Sequence, residues 1–466
     1  MSKLLSRPSQ TLLPDAKARY ENLGFTDNPF PAQPAVDKDS QDPRINGDIY
    51  EIEIRRKELQ KINNNFLKVP QSNPNHLRLG YIIDTSYIGR GNGKSAFLIN
   101  LHEQIGKDYC FDISSHANKC FSLYIAPEPG GRCKTFPLLM DLIFSTMISS
   151  EILDVCLATI RLEALNKVNS AKFQEIIQRD DADIIKFLNN PKWYEENAIQ
   201  MSDIVAAAYT IPNLSELGEN FPLFLGKNTL SPELSTVDDF KEYYKTFIKK
   251  PSDKLDFIFS KLVYFFESAG FNGAYILIDN FERIPDFQSG RQKKDFASEL
   301  RTCFFDGFYR NAKIGFYNVF LVLHAGVPGL ISEAWSESGL DNRAPINPKT
   351  ESNHIVLFEK LSKEHAILLI RKYLDEYRIK KSVVNKLLPF TEEAISYISQ
   401  LSEYNASKIL KFAYELIEKL VESSDSEIID KAFVEKQEFH HTTDSDRGVP
   451  TIDEVQSEDL LKKVQG

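Results

Sequence analysis

The order of apolar and polar positions along the 466 residues predicts two kinds of segment, short buried strands and amphipathic helices. Four short runs are almost continuously apolar and rich in β-branched and aromatic residues, within residues 79–87, 120–128, 273–284 and 318–328. Parallel strands covered on both faces have this pattern, because neither side of them meets water. The runs therefore predict a parallel β-sheet.

Helical periodicity occupies much of the remaining chain. Residues 50–67 and 94–105 each predict one helix, and the second begins directly after a glycine-rich loop. The stretch 136–266 is mostly helical, and it is too long for a simple connection between neighbouring strands. After residue 358, four further periodic segments predict a helical bundle, within 362–377, 391–403, 406–422 and 426–436.

These elements predict an α/β protein with a parallel-sheet core, a helical insertion and a C-terminal all-α bundle. Residues 1–48 are rich in Pro, Asp, Asn and Gln and are expected to form an exposed N-terminal arm, whereas residues 439–466 are expected to form a disordered tail. Between them we predict the first part of the core, the inserted subdomain, the second part of the core and a helical lid, at residues 49–135, 136–266, 267–358 and 359–438.

Charge and composition narrow the classes of function. A formal net charge of −10 argues against unspecific wrapping of nucleic acid, because that affinity depends on cations, but it leaves room for a local basic patch. The five cysteines form no CxxC pair, which favours reduced thiols over disulfides or zinc. No apolar run approaches the roughly 18 residues that cross a bilayer, and the N-terminus lacks the pattern of a signal peptide. We expect a cytoplasmic protein without a membrane segment.

The glycine-rich loop within residues 87–97 has the chemistry of a phosphate-binding loop. Gly89, Gly91 and Gly93 alternate, so the backbone can take positive φ angles and turn its N–H groups toward an anion. Lys94 would neutralise phosphate charge, and Ser95 would offer a hydroxyl to Mg²⁺ at the start of the following helix.

The strand before this loop and the helix after it are the context that a phosphate-binding loop requires. The usual motif has a glycine at its head, where this chain has Ile88. A tight glycine turn with an incidental lysine is the competing interpretation. We predict nucleotide binding by eight consecutive residues: Gly89, Arg90, Gly91, Asn92, Gly93, Lys94, Ser95 and Ala96.

The third and fourth apolar runs end in residues that suit metal binding and catalysis. Asp279 directly follows the third run, where a carboxylate can hold Mg²⁺ through water. The next residue, Asn280, has an amide that can orient water but cannot accept a proton. Glu282 is the nearest substitute as a base, and its alternative interpretation is a surface charge. His324 ends the fourth run as either a sensor of the γ-phosphate or a satisfied loop residue.

With these motifs the chain resembles an AAA+ ATPase of the origin-recognition-like branch, which includes ATPases of prokaryotic defence and mobile-element systems. The likeness rests on GRGNGKS, LIDNFE and HAGVP, and on DNPFP at residues 27–31, which is similar to a motif that lies over the adenine. It implies an AAA+-like P-loop fold in which the C-terminal helices form a lid. It extends over residues 28–435, apart from the helical insertion.

The resemblance also implies roles for two cations. SGLDNRAPI resembles the segment that carries an arginine finger, so Arg343 would reach the γ-phosphate of a neighbouring subunit, and the alternative is a solvated surface cation. EYNASKILKFA resembles the second sensor helix, with Ser407 where the family has arginine. Lys408 follows directly, and one helical step turns a side chain by about 100°, so the direction of Lys408 stays open.

The family resemblance implies ATP and Mg²⁺ as ligands, and a switch subunit of a multiprotein DNA-handling or anti-phage defence machine. Asn280 and Ser407 depart from the hydrolysis machinery while the loop is intact, so hydrolysis would be slow or stimulated by a partner. We expect a homo-oligomer, or a hetero-complex in which an effector protein makes most nucleic-acid contacts. The alternatives are a catalytically weak nucleotide-bound scaffold that recruits an effector, and direct DNA binding through residues 378–386.

Overall fold

The computed structural model has a parallel sheet surrounded by helices. It describes residues 18–67, 76–85, 91–108, 119–178, 183–217, 221–222, 224–225, 233–347, 352–381, 384–423 and 427–437. Two predicted loop residues, Gly89 and Arg90, and the predicted tail at residues 439–466 lie outside these ranges.

The described chain contains seven strands: β1 (Leu79–Asp84), β2 (Lys119–Ile125), β3 (Phe224–Leu225), β4 (Glu233–Leu234), β5 (Phe271–Ile278), β6 (Tyr317–Leu323) and β7 (Ile355–Phe358). Five of them form one sheet in the order β2-β5-β6-β1-β7, and all neighbouring pairs are parallel. β3 and β4 form a separate antiparallel pair. Every residue of β1 and β6 is buried, as expected for strands covered on both faces. The predicted α/β class with a parallel sheet is confirmed.

The sequence patterns identified four strands of this sheet and missed β7. β7 has four residues at the edge of the sheet, and Leu357 within it is 38% exposed. An apolar run this short has too little periodicity to be separated from a loop or a helix. β7 matters for the site, because it pairs with β1 from Tyr81 to Asp84.

Helices cover the sheet and occupy the chain before, between and after its strands. The N-terminal part contains α1 (Ala18–Glu21), a 3₁₀ turn (Ile52–Arg55), α2 (Arg56–Asn65) and α3 (Lys94–Asp108). Between β2 and β5 lie α4 (Phe136–Ser149), α5 (Ile152–Val168), α6 (Ser170–Ile177), α7 (Ile184–Leu188), α8 (Pro191–Glu196), α9 (Met201–Ala208), a 3₁₀ turn (Leu214–Leu217), α10 (Val237–Glu242), a π turn (Tyr243–Phe247), α11 (Pro251–Asp256), a π turn (Phe257–Lys261) and α12 (Leu262–Ser268).

The helices that follow β5 complete the described chain. Two 3₁₀ turns (Phe281–Arg283 and Pro285–Phe287) lead from β5 to α13 (Gly290–Phe304) and α14 (Arg310–Ile314), and α15 (Val327–Glu337) follows β6. The C-terminal helices are α16 (Lys363–Tyr377), α17 (Glu392–Leu401), α18 (Ala406–Glu422) and α19 (Lys431–Glu435).

Three hydrophobic clusters join these layers. One face of the sheet shares a core with the helices between β2 and β5, and Phe266 of α12 stacks on Phe316 with ring centroids 5.9 Å apart. The opposite face is covered by α2 and α3, through residues such as Ile62 and Phe97. The third cluster lies among α16, α17 and α18. The helical character predicted for residues 136–266 is therefore confirmed, whereas their independence as a subdomain stays a prediction.

The interpretation of residues 1–48 as an exposed arm is wrong around Phe25 and Phe30, whereas residues 32–48 are exposed or half-buried apart from Gly47. Phe25 and Phe30 are fully buried and belong to the cluster of the C-terminal helices. Phe30 stacks on Tyr373 of α16 with ring centroids 5.9 Å apart. The polar composition of the segment predicted exposure to solvent, but its few aromatic residues are enough to anchor it.

Among the described residues, no single helix combines the length and the apolar character needed to cross a bilayer. The pair α4 and α5 would reach both criteria together, across a bend of 58°.

We expect Gly80→Ala to destabilise the protein by about 1–3 kcal/mol. A Cβ at Gly80 would lie 2.8 Å from the ring of Phe66 and 3.0 Å from that of Phe320, and both rings are fully buried. Chemical unfolding measures the effect. The matched control is Gly329→Ala, because Gly329 lies in α15 with nothing within 4 Å of an added Cβ. The control should be neutral or more stable by up to about 1 kcal/mol. Equal stability changes in the two variants would contradict the described packing of β1.

Candidate functional site

A cleft of about 450 Å³ lies at the carboxyl ends of β1, β5 and β6, between the sheet and the C-terminal helices. Its walls come from five parts of the chain: residues 34–55, the loop at 91–96, the end of β6 with the turns after β5 and β6, residues 361–373 at α16, and the start of α18. In parallel α/β sheets, ligands bind outside the carboxyl ends of the strands. The cleft is therefore where this architecture favours a ligand.

Most of the predicted site residues line this one cleft. They are Gly91, Asn92, Gly93, Lys94, Ser95, Ala96, Asn280, Glu282, His324 and Lys408. Asp279 and Arg343 do not line it. The folding of the chain thus brings together segments that are more than 300 residues apart in the sequence, as Gly91 and Lys408 are.

The loop leaves a row of backbone donors unpaired at the start of α3. Gly91 and Gly93 have φ angles of +94° and +83°, in the left-handed region that favours glycine. Within the described chain, the N–H groups of the five residues from Asn92 to Ala96 donate no hydrogen bond. Four orphan donors are normal at a helix start, and the dipole of the 15-residue α3 adds positive potential there. This arrangement suits a bound anion.

Two contacts fix the path of the loop from outside. The N–H of Ser407 in α18 donates to the Gly91 carbonyl at 3.0 Å. The guanidinium of Arg55 donates to the Asn92 carbonyl at 3.0 Å and to the Glu359 carbonyl at 2.9 Å, and it lies 4.5 Å from the centroid of the Phe358 ring. The loop is therefore held by the C-terminal helices on one side and by the end of β7 on the other.

The ammonium of Lys94 does not extend freely into the cleft. It forms an ion pair with Asp84, the last residue of β1, whose side chain has no solvent exposure. The other carboxylate oxygen of Asp84 accepts a hydrogen bond from the Asn92 amide at 3.1 Å. The sequence motif did not point to Asp84, because an acidic residue that follows an apolar run can equally well lie in an exposed surface turn.

Asp279 is buried next to the cleft. It is 2% exposed, its Oδ2 accepts from the Tyr124 hydroxyl at 2.8 Å, and its Oδ1 accepts from the Asn280 N–H at 2.9 Å. Burial, and then the negative charge of Asp279, raises the pKa of Tyr124, so the phenol stays a donor. The two carboxylate oxygens have about four acceptor sites in total, so these two donors leave capacity on both.

The oxygen atoms of Ser95 and Asp279 are suitable donors for Mg²⁺, which prefers oxygen ligands and keeps several waters. A magnesium held through water fits the buried position of Asp279 better than direct coordination. Within the described ranges, His, Cys, Asp and Glu side chains form no group of three or more that could hold a metal by itself. The metal would need the phosphates of a nucleotide as additional ligands.

The backbone at Asn280 has a conformation that suits asparagine. Asn280 has a φ of +51°, and asparagine tolerates this left-handed conformation better than most residues. Glu282 lies one turn further on, in the 3₁₀ turn Phe281–Arg283, and is only 8% exposed. The interpretation of Glu282 as a surface charge is therefore wrong, while its role as a base stays a prediction.

The remaining predicted residues differ in how close they lie to the cleft. His324 lines it, and its Nδ1 accepts from the Gly326 N–H at 3.1 Å. Lys408 also lines it, but its side chain is 44% exposed and its Nζ lies 3.4 Å from Glu403. Arg343 is exposed and outside the cleft, a position from which it can act on a neighbouring subunit or on none.

The N-terminal wall of the cleft differs from the one that the family resemblance implied. None of the residues 27–31 lines the cleft, and the Asn28 amide donates instead to Glu418 of α18 at 2.8 Å. Residues 34–36 and 44–55 form this wall. Within it the Tyr50 hydroxyl is buried, with no hydrogen-bond partner in the described chain, and burial raises the pKa of Tyr50.

No protein-family model, no curated protein and no solved structure matches this chain. Interpretation of the cleft therefore depends on its own geometry and chemistry.

We expect Gly91→Ala to loosen the contact between the loop and α18. A Cβ at Gly91 would lie 2.6 Å from the Ser407 Cβ and 2.7 Å from Asn405 Oδ1. The variant should lose about 2–4 kcal/mol of stability, from the positive φ and the clash together. Hydrogen exchange should become faster at the first turn of α18.

Gly93→Ala is the matched control for this prediction. Gly93 has a similar φ of +83°, but nothing lies within 4 Å of an added Cβ. The variant's free energy of unfolding should fall by only about 1–2 kcal/mol, from the backbone strain alone, and hydrogen exchange in α18 should not become faster. Identical exchange patterns in the two variants would show that Gly91 does not pack against α18.

Proposed function

We propose that this chain binds ATP with Mg²⁺ in the cleft, as a P-loop ATPase of the AAA+ class and the origin-recognition-like branch. The observation that carries the proposal is the row of N–H groups from Asn92 to Ala96, which find no acceptor among the described residues. This row begins a 15-residue helix beside the carboxyl end of a buried parallel strand. Such a row is the chemistry that holds the phosphates of a nucleotide.

The size and lining of the cleft also support a nucleotide. Its volume of about 450 Å³ falls within the roughly 300–1,000 Å³ of small-molecule sites. One part is apolar, with Ile45, Ile49, Ile54 and Leu361 available to cover a purine base. The other part is the polar loop. A ligand with a flat apolar end and an anionic end matches both.

The described loop residues have defined roles in this proposal. The N–H groups from Asn92 to Ala96 surround the phosphates, and Lys94 neutralises their charge. Two further predicted residues, Gly89 and Arg90, lie outside the described residues. Ser95 holds Mg²⁺ directly and Asp279 holds it through water. The bound metal would supply charge neutralisation at the β- and γ-phosphates.

Hydrolysis in this proposal depends on Glu282. Glu282 and Asn280 line the cleft beside the loop, and of these two only a carboxylate can accept a proton from water. Asn280 orients the water, and His324 detects the γ-phosphate. Arg343 of a neighbouring copy and Lys408 of the lid supply further positive charge. Hydrolysis that required the neighbouring copy would make the protein a switch that responds to assembly.

The family resemblance extends the proposal to a pathway. It implies a subunit of a DNA-handling or anti-phage defence machine, as a homo-oligomer or in a hetero-complex with an effector protein. The net charge of −10 favours an assembly in which the partner makes most contacts with nucleic acid.

A catalytically weak scaffold is the second candidate function, and Asn280 favours it. The left-handed backbone at Asn280 disfavours a glutamate at the position next to Asp279. In this version the nucleotide is a structural ligand, and the protein recruits an effector.

We expect Lys94→Ala to weaken the binding of Mg-ATP by about 10–100-fold, because a charge-assisted hydrogen bond is lost. Isothermal titration calorimetry measures the affinity. Lys245→Ala is the control, because Lys245 is exposed and lies outside the cleft. If the folded wild-type protein bound no purine triphosphate at millimolar concentration, the proposed function would be wrong.

We expect Glu282→Gln to retain affinity for Mg-ATP within about threefold and to lower turnover by about 100-fold or more, because general-base catalysis is lost. Phosphate release measures turnover, and Glu196→Gln, at an exposed position in α8, is the control. Normal turnover in Glu282→Gln would exclude Glu282 as the base. ATP binding without turnover in the wild type, alone or with partner proteins, would favour the scaffold.

A further inference from the structure

We propose that Asp84 is the resting counter-ion of Lys94, which a phosphate ligand must displace, so that Asp84 lowers the affinity of the cleft for nucleotide. This inference rests on the proposed nucleotide site and adds to it an affinity-determining residue that is not part of the loop motif.

The position of Asp84 makes its carboxylate a competitor of a bound phosphate for the ammonium of Lys94. Asp84 ends β1, it is paired in register with Phe358 of β7, and its side chain has no solvent exposure. The side chain of Lys94 is 12% exposed while it pairs with this carboxylate. Lys94 lines the cleft and Asp84 does not. The ammonium that should meet a phosphate is therefore directed toward a buried acid beside the cleft.

The carboxylate of Asp84 binds a second group besides Lys94, the side-chain amide of Asn92. The Asn92 amide nitrogen donates to Asp84 at 3.1 Å, and this side chain belongs to a residue only 3% exposed. Its amide oxygen is buried and has no hydrogen-bond partner in the described chain. Leaving a buried acceptor unpaired is costly. The hydrogen bonds around Asp84 thus leave one buried acceptor of Asn92 unsatisfied in the described chain.

A phosphate group in the cleft competes with Asp84 for the same cation. If Lys94 turns to the phosphates, the Asp84 carboxylate loses its cation partner while it stays buried. A buried charge without its partner is strongly unfavourable. Part of the attraction between Lys94 and the phosphates is therefore offset by this loss, and the affinity falls.

A merely structural role of Asp84 predicts the opposite change in affinity. If Asp84 only positioned Lys94 for the ligand, replacing Asp84 would lower both the stability of the protein without nucleotide and its affinity for nucleotide. If Asp84 competes with the ligand, replacing it lowers that stability but raises the affinity for nucleotide. The two measurements together distinguish these roles.

The test compares Asp84→Asn with the wild-type protein, by thermal unfolding without ligand and by calorimetric titration with Mg-ATP. The variant should unfold at a lower temperature without ligand, because Lys94 loses its partner. It should bind Mg-ATP at least about tenfold more tightly. Asp141→Asn is the matched control, because Asp141 of α4 also pairs with a lysine, Lys254, at 2.8 Å and does not line the cleft. The control should leave affinity unchanged.

Equal or weaker binding of Mg-ATP by Asp84→Asn, with normal binding by the wild type, would overturn this inference and leave the proposed function standing. Absence of binding by both proteins would overturn the proposed function, and the inference with it. If the variant is unstable without ligand, it is purified with Mg-ATP, and the release of a fluorescent ATP analogue is measured by chase. Slower release than from the wild type supports the inference, and equal or faster release contradicts it.

Discussion

The backbone N–H groups at the start of α3 are the constraint around which the cleft is built. Five N–H groups, from Asn92 to Ala96, have no acceptor in the described protein, and they meet the carboxyl end of a buried strand. Only backbone that bends through Gly91 and Gly93 can keep these donors accessible, because both glycines have positive φ angles. The loop would not hold this path alone. Arg55 and Ser407 fix it by binding two consecutive carbonyl oxygens.

These contacts couple the loop to the helices that cover it. The N–H of Ser407 donates to the Gly91 carbonyl at 3.0 Å, and its hydroxyl donates to the Pro34 carbonyl at 3.1 Å. The capping side chain of Asn405, which accepts from the Lys408 N–H, keeps the first turn of α18 at the loop. Residues 18–48 anchor in the same helical cluster through Phe25 and Phe30. The C-terminal helices and the N-terminal segment therefore pack against each other, and α18 contacts the loop directly.

Close backbone packing limits the side chains at two positions beside the loop, Asn280 and Ser407. Asn280 occupies a left-handed backbone conformation, which glutamate disfavours. Ser407 lies so close to the loop that even a Cβ on Gly91 would be 2.6 Å from its own Cβ, which leaves little room for a longer side chain. At both positions the local backbone packing, and not the apolar pattern of the sequence, limits which side chain fits.

Local sequence patterns predicted the parts of the site that depend on neighbouring residues in the chain. The strand, glycine loop and helix around Lys94 were predicted because backbone conformation there follows from glycine spacing and apolar periodicity. Glu282 and His324 were singled out because they follow or end apolar runs that predict buried strands. By contrast, β7 was missed, because its four residues have no usable period.

Only the tertiary structure decided which partners the functional side chains have. The pairing of Lys94 with Asp84, of Asp279 with Tyr124 and of the loop with Arg55 joins residues on different elements. The burial of Phe25 and Phe30 likewise depends on helices more than 300 residues later in the chain. Periodicity reports the environment of a residue averaged along one element, and it contains no information about which distant element covers it. The sequence by itself determined a glycine-rich loop between a strand and a helix, and the fold determined which distant residues hold that loop in place.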